Sequence, residues 1–138
     1  MIAYIDASVL LRIVFGEPTA LREWNSIETP VASPLVEVEC LRSVDRFRLE
    51  KGLTDEEILP RREEIYRFTS SMDVVELDRA VLSRASQPLS SILRTLDAIH
   101  LASALIWREQ SDTDLVMATH DVALAAAARA HGMSVVGV

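Results

Sequence analysis

The chain has a single cysteine, Cys40. No internal disulfide can form, which excludes a stapled secreted scaffold. A structural zinc site built on several thiolates is excluded with it. Glycine is scarce, and no G-x-x-x-x-G-K-[ST] loop occurs, nor any G-x-G-x-x-G after the first apolar run. The strand-to-helix elbow G-x-S-x-G of serine hydrolases is also missing. The only lysine is Lys51, so a receiver domain's lysine near the last strand is lacking, and Asp6-Ala7-Ser8 lacks the D-x-D of a haloacid-dehalogenase-type phosphate acceptor. No apolar stretch reaches the roughly 20 residues of a membrane span. The apolar start, Met1 to Gly16, is interrupted by Asp6 and Arg12 and has neither a basic leader nor a cleavage site. A cytoplasmic location with no membrane partner is the expectation. Cations are outnumbered by anions, 14 to 21, for a net charge of −7. That balance argues against nucleic-acid binding driven by bulk charge, though not against a local site that grips phosphate through a metal.

What is present suits one domain spanning 1–138. With 49% apolar residues, a 138-residue chain can bury one core and has little room for a second. Short apolar runs at 2–5, 30–32, 74–77, 115–118 and 133–138 read as strands. Between them lie helical stretches. Asp6-Ala7-Ser8 leads into one that Gly16 stops, and Pro18 suits the first turn of another reaching Ile27. Ser33-Pro34 opens a long helix to Lys51-Gly52. Thr54 and Glu57 have capping-box spacing, and Pro60 is expected to kink or restart the helix they open. Asp78, Leu96 and Asp121 begin three more helices, the last ending near Gly132. Strands alternating with helices imply an α/β fold whose parallel sheet is covered on both faces.

In such a sheet, ligands bind beyond the carboxyl ends of the strands. Asp6 directly follows the first strand. Glu39 lies in the first two turns after the second. Asp97 opens the helix Leu96–Glu109, and Asp121 follows the fourth strand. Each has an ordinary alternative: Asp6 and Asp121 as helix caps, Asp97 as a favourable charge at a helix N-terminus, Glu39 as a surface residue. Four such acids at one edge have a simpler common cause in a divalent metal. Glu37 competes with Glu39, but two positions on a helix differ by about 200°. Glu39 shares a polar stripe with Arg42 and Arg46, which marks it as the better candidate and those arginines as candidate phosphate ligands; the alternative is a surface Glu39–Arg42 pair. Hard oxygen donors select Mg²⁺ or Mn²⁺ over zinc. On the helix Leu96–Glu109, Asp97, Leu101, Ala104 and Arg108 share one face, with Ile99, Ala102 and Ile106 on the opposite, core face. Ser8 and Thr119 are candidates for supporting the carboxylates. His100 reads as a structural histidine, His120 as a loop residue near the site, and Cys40 as buried filler.

Four segments carry a resemblance. Tyr4-Ile5-Asp6-Ala7-Ser8-Val9-Leu10-Leu11 with Gly16-Glu17-Pro18, Ser33-Pro34-Leu35-Val36-Glu37-Val38-Glu39, Leu96-Asp97-Ala98-Ile99-His100-Leu101-Ala102, and Leu115-Val116-Met117-Ala118-Thr119-His120-Asp121 resemble, in order, the motifs of PIN domains, in particular the VapC toxins. Each motif is short; four in order across nearly the whole chain are specific. The resemblance implies a PIN-like three-layer sandwich with a central parallel sheet of four to five strands. It implies a Mg²⁺- or Mn²⁺-dependent endoribonuclease, the toxin of a type II toxin–antitoxin pair, acting as a homodimer and restrained by a cognate antitoxin. Asp6, Glu39, Asp97 and Asp121 carry over as the acidic quartet, with Asp6 and Asp97 as metal ligands, and Asp121 as the acid that often works through water. The alternatives are a catalytically silent PIN-like module binding RNA or protein, and a metal-dependent phosphatase. Apolar residues scattered over Leu35–Ser71, among them Phe47, Tyr66 and Phe68, suggest a dimer or antitoxin groove, or else mutual packing of two helices.

Overall fold

The computed structural model describes all residues, 1–138. The elements follow as β1 (Ile2–Ile5), α1 (Ala7–Val14), a 3-10 helix (Arg22–Ser26), β2 (Thr29–Ala32), α2 (Leu35–Lys51), α3 (Asp55–Ser70), β3 (Asp73–Val74), α4 (Arg79–Ala85), α5 (Thr95–Ser111), β4 (Val116–Ala118), α6 (Val122–Ala130) and β5 (Val135–Val136). All strand pairs are parallel, in the order β3-β2-β1-β4-β5. The alternation of the central strand builds the layers. Ala3 and Ile5 join a core with Leu10, Val36, Val44 and Ile65 from α1, α2 and α3. Tyr4 points the other way, into a core with Leu101, Leu105 and Leu124 from α5 and α6. The result is a three-layer α/β sandwich with five strands, within the expected range.

Local signals explain most boundaries. The Ser33 hydroxyl accepts the Leu35 N–H at 3.2 Å, and Gly52 ends α2 in the left-handed conformation. Thr54 and Glu57 form the capping box reciprocally. Two expectations need correction. Pro18–Ile27 is not one helix. Glu17 N–H bonds back to Arg12 O and Ala20 N–H to Glu17 O, so the chain turns against α1, and only the short 3-10 helix follows. Too few residues remain there to nucleate an α-helix. Pro60 does not restart a helix either: α3 runs unbroken from Asp55 to Ser70. Pro60 is exposed, so water can serve the Glu56 carbonyl that lacks its helical donor.

The expected two-faced pattern of α5 also changes. His100 to Leu105 are all buried, because α5 packs against α4, α6 and β2 together. Leu101 and Ala104 are therefore core residues no less than Ala102. Most of the apolar surface on α2 and α3 is used internally. Val36, Ile58 and Ile65 are core, and Leu41, Phe47 and Phe68 pack on it. Phe15 tilts against Phe47, and Trp24 meets Phe68 edge-on. Among the apolar residues singled out there, Tyr66 stays exposed. No helix is long and apolar enough to cross a membrane.

Candidate active site at the carboxyl edge of the sheet

Asp6 leaves β1 and caps α1. Its Oδ1 accepts from Ser8 Oγ at 2.5 Å and from Val9 N–H at 3.3 Å, and its Oδ2 accepts from Thr119 Oγ1 at 2.6 Å. The carboxylate is only 4% exposed. Burial pushes its pKa up, and the hydroxyls of Ser8 and Thr119 pull against that. Strand register explains the meeting. Ile5 pairs with Ala118, so the next residues, Asp6 and Thr119, emerge side by side. Thr119 also accepts the Asp121 N–H at 2.9 Å, and Ser8 accepts the His120 N–H at 2.9 Å. These bonds lace the β1–α1 and β4–α6 turns together. Asp121 caps α6, its Oδ1 accepting from Leu124 N–H at 2.8 Å. Behind this turn, a Cβ at Gly137 would lie 2.4 Å from the Thr119 carbonyl, so only glycine lets β5 close here. His120 Nδ1 donates to the Gly137 carbonyl at 2.7 Å, which pins its ring to the C-terminal strand.

Glu39 and Glu37 separate cleanly. Glu37 Oε2 accepts from Thr69 Oγ1 at 2.6 Å, toward α3. Glu39 Oε1 meets His100 Nε2 at 2.5 Å, and His100 Nδ1 meets Tyr4 Oη at 2.9 Å. Cys40, next to Glu39, is buried. Burial, then the charges of Glu39 and Asp6, push its thiol up to about 12, so it is an inert core residue.

Asp97 lies in the first turn of α5, half-buried. Its pKa is raised, first by burial, then by the charge of Asp121, with Asp6 and Glu39 adding to the rise and His100 opposing it. Asp97 therefore feels the other three acids at this edge. None of them forms an ion pair with arginine or lysine; Glu39 is bonded to His100 instead. The side chains are not already closed around a common point: no three stand at metal-ligating positions. Asp6, Asp121 and Glu39 are each turned to a hydrogen-bond partner of their own.

Arg42 pairs with Asp45 at 3.1 Å, and Arg46 lines a shallow hollow with Phe15, Glu17 and Arg61. Neither forms an ion pair with the four acids. Glu39 and Asp45 each lie three residues from Arg42 on α2, but Glu39 is bonded to His100 and Asp45 takes the arginine. Arg46 lies about 10 Å further along α2 than Glu39, at 1.5 Å per residue. His100 is the satisfied structural histidine expected, buried and bonded at both ring nitrogens. Its signal was an imidazole in the middle of an apolar helix, which needs polar partners once buried.

As a donor set, the edge suits a hard divalent cation. It offers carboxylate oxygens, no reactive thiolate, and negative charge left without a basic partner. A parallel sheet with an acidic carboxyl edge laced by Ser8 and Thr119 defines an α/β sandwich with a candidate cation site at that edge. The PIN domain model matches residues 3–129, and the chain belongs to the PIN domain family. It is 33% identical over 137 residues to Ribonuclease VapC46 of Mycobacterium tuberculosis, covering 96% of this chain and 95% of that protein. It is 32% identical over 108 residues to Ribonuclease VapC47 of the same species, covering 73% of each. The fold is shared with a toxin-antitoxin complex from Klebsiella pneumoniae (TM-score 0.65, 16% identity, 90% of each chain). It is also shared with PAE2754 from Pyrobaculum aerophilum (TM-score 0.55, 21% identity, 91% of this chain and 85% of that one).

Proposed function

We propose that this protein is a Mg²⁺- or Mn²⁺-dependent endoribonuclease and the toxin of a type II toxin–antitoxin pair. The observation that carries the reading is the delivery of Asp6, Glu39, Asp97 and Asp121 to the carboxyl edge of the sheet with no arginine or lysine paired to any of them. Carboxylates gathered against their own repulsion, without a basic partner, are expected where a cation completes the charge balance. The similarity to ribonucleases of the VapC type, over nearly the full length of VapC46, supports RNA as substrate. The likeness to a protein described as a toxin-antitoxin complex supports a cognate antitoxin. A homodimer in the cytoplasm completes the reading.

Asp6 and Asp97 would hold the ion, with Glu39 and Asp121 completing the shell or orienting water. A bound Mg²⁺ or Mn²⁺ supplies a nucleophilic water at neutral pH and stabilises charge on the leaving oxygen of a phosphodiester. The chain's own part is positional. Ser8 and Thr119 fix both oxygens of Asp6, and the same Thr119 holds the backbone of Asp121 in register with it. Without a cation the edge repels phosphate, in keeping with the net charge of −7.

The test is incubation of the purified protein with a mixed RNA pool and, separately, a small phosphomonoester. The expected result is RNA cleavage that EDTA abolishes and Mn²⁺ restores, with the monoester untouched. Hydrolysis of the monoester alone would point to a phosphatase, and RNA binding without cleavage to a silent module.

A further inference from the structure

The hydrogen bond behind Glu39 has a defined polarity. A carboxylate only accepts, so His100 Nε2 carries the proton and donates to Glu39 Oε1. His100 Nδ1 is bonded in turn to Tyr4 Oη at 2.9 Å. Burial holds the Tyr4 phenol far above its usual range, so it stays a neutral hydroxyl beside the ring. Both rings are at most 1% exposed and meet edge-on, centroids 5.8 Å apart. The relay also joins the three elements that deliver three of the acids. Tyr4 lies two residues before Asp6 on β1, Glu39 is on α2, and His100 follows Asp97 by three residues on α5. An apolar side chain would fill the volume of His100 without requiring partners. What only the imidazole adds is a donor aimed at Glu39, while Glu37 is held elsewhere by Thr69.

We propose that His100 is a positioning residue: held by Tyr4 at its other nitrogen, it fixes Glu39 Oε1 and leaves Oε2 for the divalent-ion centre. This rests on the metal-dependent function proposed above. Partners that orient metal-binding groups typically contribute about 10- to 100-fold to metal affinity.

The experiment is Mn²⁺ titration calorimetry on the metal-free, full-length protein, with folding checked by thermal unfolding. The set comprises wild type, Glu39→Gln, His100→Leu, His100→Gln, Tyr4→Phe, and the Glu39→Gln/His100→Leu double variant. His100→Leu is expected to weaken Mn²⁺ binding by about 10- to 100-fold. His100→Gln, which keeps an N–H donor near the Nε2 position, recovers most of it, and Tyr4→Phe weakens binding by a smaller factor. The double variant binds no more weakly than Glu39→Gln alone, because both changes act on one carboxylate. If His100→Leu does not fold, Tyr4→Phe carries the test, since it keeps the ring and loses only the hydroxyl. Wild-type affinity in folded His100→Leu, or in Tyr4→Phe standing in for it, beside a weakened Glu39→Gln would overturn the proposal and make His100 purely structural. Independent, multiplying losses in the double variant would overturn it as well. If wild type takes up no Mn²⁺, or Glu39→Gln leaves affinity unchanged, the metal assignment of Glu39 itself fails and the role of His100 falls with it.

Discussion

Two groups of aspartates in this molecule have opposite surroundings. On the outer face of α2, Asp45 accepts from Arg48 at 3.0 Å and from Arg42 at 3.1 Å, and those bonds, led by the one from Arg48, hold its carboxyl below the usual range. At the carboxyl edge of the sheet, Asp6 and Asp97 are shifted the other way, first by burial and, at Asp97, next by the charge of Asp121. The chain has 14 basic side chains, and none pairs with the edge acids. Pairing with arginine is how this protein settles charge on its surface; at the edge it leaves charge unsettled. Local electrostatics that work against the fold are characteristic of sites kept for function.

The sharpest way to break this comparison is to neutralise one acid from each group. Asp6→Asn is expected to lower RNA cleavage by about 100-fold or more, since even the partners behind a metal ligand contribute about 10- to 100-fold. Circular dichroism should show the fold retained, because an amide oxygen can still accept from Val9 N–H and cap α1. Asp45→Asn is expected to leave the cleavage rate within about twofold of wild type, since exposed ion pairs contribute little. Equal losses in the two variants would erase the distinction.

A smaller effect sharpens it through pH. Asp97 has a raised pKa in the folded state, so between the ordinary carboxylate range and that raised value the folded protein binds more protons than the unfolded one. Stability of the metal-free protein attributable to this group therefore falls as pH rises through the window, and the penalty persists at neutral pH. Asp97→Asn should melt above wild type at pH 7, on the order of 1–3 °C because the group is half exposed, and the gap should close once the wild-type carboxyl is protonated in acid. Asp45 carries the opposite sign. Its pKa is lowered, so its contribution is present above the ordinary range and is lost as pH falls through the folded value. Asp45→Asn should melt slightly below wild type at pH 7, by about 1 °C or less, with the difference vanishing in acid. Differential scanning calorimetry in EDTA from pH 3 to 7 reads both.

Much of the edge was legible in the sequence because strand order and strand ends are governed by short-range patterns. Asp6, Asp97 and Asp121 each follow a strand or open a helix, and the rule for parallel sheets singles out that position. What the pattern does not contain is environment. Asp78 also follows a strand and caps a helix through the Val81 N–H, yet it is exposed, whereas Asp6 in the same local role is buried between two turns. Only the register of β1 with β4, which places Thr119 beside Asp6, distinguishes them. The arginines show the same limit. Spacing puts Arg42 three residues from both Glu39 and Asp45, and it pairs with Asp45 while Glu39 is bonded to His100. The partners of His100 lie beyond local pattern for a related reason: Glu39 and Tyr4 are 61 and 96 residues away in the chain. The helix misassigned at Pro18 depended on backbone bonds returning to α1, which no local periodicity encodes.

The central claim is that Asp6, Glu39, Asp97 and Asp121 together form one divalent-ion centre. Anomalous diffraction at the manganese edge from crystals grown with Mn²⁺ tests it most directly. The account predicts ion density among these carboxylates, with Asp6 and Asp97 in direct contact. Manganese bound only at other surface acids, with no ion density among these four carboxylates, would contradict it.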